Sequence, residues 1–194
     1  MKKILLILII NFLIYSTDSN GKQKILTIAM VNNSLITDID IKNEIFLTKV
    51  LNPNIEELYL KSASLQNLID QIIKNQEIEK NNIQVPEKHI KNLYNNFLIK
   101  LNKNDLPNVI KKNIYLKIET EESWAQLIRR KFSWSAYVNI NEIEKNISSL
   151  NKNSEEEYLI KDKMIKIEKN KKMNTNSINY LNQLKNEALI KIYQ

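Results

Sequence analysis

His89 is the one imidazole in the chain, and no cysteine accompanies it. A metal site would need that ring beside further nitrogen, sulfur or carboxylate donors. General-base work would need it beside a hydroxyl or carboxylate. Its sequence neighbours are Lys88 and Ile90, on a stretch otherwise lined by lysine and asparagine, the setting of a solvent-facing or structural residue. Two acidic pairs, Asp38/Asp40 and Glu121/Glu122, could in principle divide acid and base roles. Each falls where a helix is expected to begin, and first-turn acids are accounted for by exposed N–H groups and the positive end of the helix dipole. Glu155, Glu156 and Glu157 read as a solvated helix start. The serines lack a base partner, so nucleophilic catalysis has no support. The pattern predicts no catalytic, cofactor-binding or metal-binding residue and a chain that is not an enzyme.

The aromatic residues give a different signal. Trp124 and Phe132 keep to a helical stripe and read as core. Trp134 and Tyr137 fall off that stripe, where exposure would create an apolar patch suited to binding. All four are candidates for contact with polypeptide. Net charge is +7, spread along the chain, with only two arginines, Arg129 and Arg130. No dense basic block is interleaved with aromatics, so nucleic acid is not an expected partner. The single glycine, Gly21, is too little for phosphate-cradling loops, nucleotide fingerprints or tightly turned sheets. Helices joined by asparagine-rich turns are expected instead, because asparagine is the next best residue at left-handed positions.

The elements follow from these limits. Lys2 and Lys3, an apolar run from Ile4 to Tyr15, and small or polar residues through Gly21 have the anatomy of a secretory signal. As a helix the run would reach about 18 Å at roughly 1.5 Å per residue, short of the ~30 Å bilayer core. Residues 1–21 are therefore expected to be a signal peptide cleaved after Ser19 or Gly21, with an uncleaved inner-membrane anchor as the alternative. A β-hairpin is expected over Ile25–Ile36, turning at Asn32-Asn33. Thr37, with Asp40 at the reciprocal position, should cap a helix reaching Val50. Asn54 should cap a second helix with Leu58, Leu65, Leu68, Ile69, Ile72 and Ile73 on one face, stopping at Asn81-Asn82. A third runs from Pro86 to Leu101. A short helix follows Pro107, and another opens at Thr120. Ile143 and Ile147 mark a further short one, and 148–154 reads as a loop. The tail divides into two helical stripes, Ile160/Met164/Ile167 and Ile178/Leu181/Leu184/Ala188, before a short strand at Ile190–Ile192. The chain thus reads as mainly α: a helical module over 22–150, completed by a linker and C-terminal helix and strand over 151–194.

Four segments, in order, resemble the SurA-type periplasmic chaperones. "VNNSLITDIDIKNEI" (Val31–Ile45) is similar to that family's opening strand, turn and capped helix. "LQNLIDQIIKNQEIEKNNIQVPEKHIKNLY" (Leu65–Tyr94) is similar to its next two helices, with Asn81-Asn82 where the family usually has glycine. "SWAQLIRRKFSWSAYV" (Ser123–Val138) and "YLNQLKNEALIKIYQ" (Tyr180–Gln194) resemble its tryptophan-bearing helix and closing element. The parvulin isomerase domains of longer members need about a hundred residues, several glycines and a histidine. Roughly forty residues stand in their place here. The resemblance therefore implies a SurA N-terminal-like module without isomerase activity. It would be a periplasmic holdase whose apolar groove binds unfolded outer-membrane or other exported proteins, with no cofactor. Alternatives are an envelope scaffold serving one dedicated protein partner, a prolyl isomerase relative, and a basic module with peripheral contact to anionic lipid.

Overall fold

The computed structural model describes residues 24–102, 105–148 and 154–193. The expected leader and the centre of the expected 148–154 loop lie outside the described residues. Strands β1 (Thr27–Val31) and β2 (Ser34–Thr37) form the predicted hairpin, and β3 (Ile190–Ile192) pairs antiparallel with the other side of β1, giving the order β2-β1-β3. Asn32 makes the turn at φ 52°, and Asn82 and Asn102 take the same left-handed conformation at φ 50° and 49°. Asparagine thus fills the role that the missing glycines would have had. Asn32 also ties the turn to the rest of the molecule. Its side chain donates to Gln76 Oε1 at 2.6 Å and accepts from the Leu189 N–H at 3.0 Å, while its own N–H donates to the Leu189 carbonyl at 2.8 Å.

Six helices follow among the described residues: α1 (Asp38–Leu51), α2 (Glu57–Lys80), α3 (Glu87–Leu101), α4 (Asn108–Phe132), α5 (Ile140–Ser148) and α6 (Ser154–Glu187). The capping box of α1 is formed as expected: the Thr37 hydroxyl accepts from the Asp40 N–H at 3.2 Å, and the Asp40 carboxylate accepts from the Thr37 N–H at 2.8 Å. Three expectations fail for identifiable reasons. Asn54 does not cap α2, because Asn52 and Ile55 close a turn (N···O 3.2 Å) and the helix begins only at Glu57, behind an uncapped Glu56. Leu58, expected on the buried stripe, is 80% exposed, since no described element covers that end of the face. Thr120 opens no helix: α4 runs through it, and its hydroxyl lies 2.9 Å from the Leu116 carbonyl and 2.8 Å from Asn75 Oδ1. A threonine hydroxyl bonding back one turn uses the chemistry of a cap in the middle of a helix.

The two-piece tail is also corrected. α6 is one helix of 34 residues, about 50 Å long at ~1.5 Å per residue. Lys169–Lys172 dilute its apolar stripe without breaking it, because lysine is a good helix former. The dilution marks a change of partner. Upstream, Ile160, Met164 and Ile165 pack on Val138, Ile143 and Ile147 around α5. Downstream, Met173, Tyr180, Leu181 and Leu184 pack on Ile78, Ile83, Trp124, Leu127 and Ile128 of the α2–α4 body. The end of α6 also reaches the sheet, where Leu181, Leu184, Ala188 and Ile190 meet Ala29, Val31, Ile36, Ile69 and Ile73. A further cluster joins Leu47 of α1 to Leu106, Ile110 and Ile114, with Tyr94 and Phe97 of α3 against it.

All four clusters are assembled within residues 28–190, so a chain beginning at Lys22 carries the whole described core and is expected to melt cooperatively. In that chain Asn32→Gly retains the turn but loses the side-chain bonds, and should lower stability by about 1–2 kcal/mol. Asn32→Ala adds the left-handed penalty of a Cβ, roughly 1 kcal/mol more. Urea denaturation followed by circular dichroism measures both; equal losses would remove φ from the account.

Candidate polypeptide-binding surface

Tyr180 of α6 organises the aromatic residues that the sequence singles out. Trp124, 3% exposed, stacks on it at 5.8 Å with the ring planes 11° apart, and donates its indole N–H to Ser177 Oγ at 2.8 Å. Phe132 meets the same ring edge-on at 5.6 Å. Lys131 places its ammonium 4.7 Å from the centre of the Tyr180 ring, over its electron-rich face. Beneath, the Tyr180 hydroxyl donates to the buried Glu77 carboxylate, which also accepts from Asn81 Nδ2 at 2.7 Å and pairs with Lys131 at 3.2 Å. Trp124 and Phe132 therefore serve first to hold α6 onto α4.

The Glu77 carboxyl feels two opposed effects. Burial, the larger single influence, pushes its pKa up; together the hydrogen bonds from Tyr180, Asn81 and Lys131 and the charge of Lys131 bring it below the ordinary value. Tyr180 moves the other way, raised by burial and by its bond to the Glu77 anion.

Trp134 and Tyr137 sit in the turn that follows α4 and are 84% and 74% exposed. The turn is not loose. Ala136 and Val138 are buried, Asn176 Nδ2 donates to Ser135 Oγ at 3.2 Å, and Lys172 donates to the Tyr137 carbonyl. Beside it, between α4 and α6, runs an open groove of about 390 Å³. Trp124, Ile128 and Met173 give it apolar walls, and Arg129, Ser133 and Lys169 stand on its margins. A larger hollow of about 470 Å³ between α2, the 83–85 segment and α4 is lined mostly by polar groups such as Gln71, Asn75, Glu79 and Gln84. Apolar polypeptide is better matched by the α4–α6 groove.

A second exposed apolar area was not predicted. Phe46 and Leu51 of α1, with Leu58 and Tyr59 of α2, remain open where the two helix ends approach, linked by Lys49 and Glu57 at 3.6 Å. The Asn52-Pro53 break was its only signal, since it sends both helices past their covering partners.

The polar candidates have ordinary explanations. His89 Nε2 lies 3.4 Å from Glu122 Oε2 at the surface. Glu121 pairs with Lys74 at 2.6 Å. These acids belong to the middle of α4, so cross-helix pairing with α2 and α3 replaces the expected first-turn dipole as their reason. Asp38 does sit in a first turn, its pKa lowered chiefly by the hydrogen bond from Lys42 and then by that from the Leu26 N–H. Among the described residues, no three His, Cys, Asp or Glu side chains group closely enough to hold a metal ion.

Substituting Glu77 tests the clamp. Because the folded carboxyl titrates below its unfolded value, its contribution is present above the unfolded pKa and disappears as pH falls through the folded one. Glu77→Gln should cost about 1–3 kcal/mol at neutral pH, and the gap to the native chain should close on acidification below about pH 4. Paired denaturation curves at pH 7 and pH 3 measure this; a constant gap would refute it. No protein-family model matches the chain, and no curated protein is significantly similar to it.

Proposed function

We propose that this chain is an exported, non-catalytic holdase of the SurA type, a helical module that keeps unfolded outer-membrane or other exported proteins soluble in the periplasm. The observation that carries this reading is the exposure of Trp134 and Tyr137 on an anchored turn beside an apolar groove. Large aromatic groups held in water on a fixed backbone are ready to bind with little ordering cost. The order of hairpin, helices and closing helix with its strand is that of the resemblance, and supports it further.

The mechanism requires contact rather than chemistry. Extended clients would lay aromatic and aliphatic side chains on Trp134, Tyr137 and the groove, and others on Phe46, Leu58 and Tyr59. A few contacts of roughly 1–2 kcal/mol each, after ordering costs, sum to micromolar-to-millimolar affinity. Such binding competes with client self-association, through apolar surface and unpaired strand edges, yet releases quickly. A dedicated protein partner is the second reading. It is favoured by the concentration of the most exposed aromatics in one turn.

Light scattering of an unfolded outer-membrane protein diluted from denaturant tests the proposal. The chain from Lys22 should suppress aggregation at severalfold excess, and Trp134→Ala with Tyr137→Ala should weaken suppression several-fold without lowering the melting temperature. Absence of suppression sinks the holdase reading. Recovery of one stoichiometric protein by affinity capture from an envelope extract would shift the assignment to the dedicated partner.

A further inference from the structure

The turn after α4 is more than an apolar patch, because the cations around it lack carboxylate partners. Arg129 and Lys169 stand on the margins of the same groove, one on α4 and one on α6. Arg130 continues the last turn of α4, Lys171 and Lys172 the middle of α6, and all five are exposed. Among the described residues none is paired with a carboxylate; Lys172 donates to the Tyr137 carbonyl, which leaves its charge uncompensated. The nearby acids are accounted for. Glu121, at one end of the groove, is neutralised by Lys74, and Glu168, one helical turn before Lys172, offsets one charge of the five and leaves a net excess of four. A helix dipole explains basic residues in the last turn of α4. It does not explain Lys169, Lys171 and Lys172, which lie in the interior of a 34-residue helix.

The other exposed apolar area supplies a contrast. Around Phe46, Leu58 and Tyr59 the charges are mixed, with Lys49, Glu56, Glu57 and Lys61 interspersed. Beside Trp134 and Tyr137, by contrast, the protruding rings stand among a clear excess of cations. An unfolded apolar client has no use for that charge. A leaflet containing anionic phospholipid uses both: headgroups attract the cations, and amphipathic Trp and Tyr rings settle at headgroup depth.

We propose that the turn Ser133–Tyr137, with Arg129, Arg130 and Lys169–Lys172, is a docking face for an anionic phospholipid surface. It holds the module at the membrane through Trp134 and Tyr137. The contact is peripheral, since no described helix is long and apolar enough to cross a bilayer. It places the α4–α6 groove at the bilayer face and uses the two rings assigned above to clients, so a leaflet and a client compete for Trp134 and Tyr137.

Sedimentation with vesicles tests it, using a chain from Lys22 so that the apolar residues 4–15 cannot supply the binding. The chain should sediment with phosphatidylcholine–phosphatidylglycerol vesicles and not with phosphatidylcholine alone. Binding should fade as salt rises from about 0.1 M, where the Debye length is ~10 Å, towards 1 M, where it is ~3 Å. Each cation at an anionic surface strengthens binding roughly fivefold, so Arg129→Glu with Lys169→Glu should lose at least about twentyfold. Trp134→Phe should abolish the vesicle-induced blue shift of tryptophan emission, because Trp124 is already buried. All three substituted positions are exposed, so melting temperatures should stay unchanged. Failure to bind anionic vesicles, or binding that survives the double charge reversal, overturns the proposal. If the reversed chain keeps vesicle binding but loses aggregation suppression, the face belongs to polypeptide and the membrane assignment is wrong.

Discussion

The return of the C-terminal helix to the N-terminal hairpin is the constraint on which the structure depends. Tyr180 reaches Glu77 across 103 residues of sequence, and Leu189 reaches Asn32 across 157. Closing loops of that length costs chain entropy, which grows only slowly with length and is offset by what the closure buries. α6 covers Trp124, Leu127 and Ile128 on one side and, at its end, Ala29 and Val31 of the sheet. Without it, β1 loses a partner strand and the α2–α4 body loses one wall.

Polar groups give that closure its register. Apolar surfaces alone tolerate sliding, whereas a buried carboxylate that needs the Tyr180 hydroxyl, the Asn81 amide and the Lys131 ammonium accepts one alignment of α6. The Asn32–Leu189 pair sets the other end, joining turn, helix terminus and third strand. Once both ends are set, the position of α6 along α4 decides where the groove opens and which residues edge it.

The remaining exposed surface follows from geometry. α6 is longer than the body it covers, so its first half packs with α5 into an arm. The junction of arm and body is the turn carrying Trp134 and Tyr137. These two side chains sit on a backbone anchored by buried Ala136 and Val138 and by two bonds to α6, while their rings stay in solvent. A weak, reversible contact surface needs that combination of a rigid base and free apolar tips.

Much of this was legible in the residues themselves. Alternation and turn chemistry marked the hairpin, Thr37 and Asp40 marked their capping box, and Ile190/Ile192 marked the last strand, because these depend on neighbours a few positions away. The near absence of glycine pointed to helices with asparagine at the left-handed positions, and Asn32, Asn82 and Asn102 take them. Tertiary partners alone decided the rest. Thr120 resembled a cap until Asn75 and continuous packing kept α4 whole, and the lysine-rich stretch of α6 resembled a break until two different partners held its two halves. Leu58 and Leu65 share one helical face, yet only Leu65 meets the core. Periodicity tells which way a side chain points; whether another element stands there depends on chain segments far away in sequence.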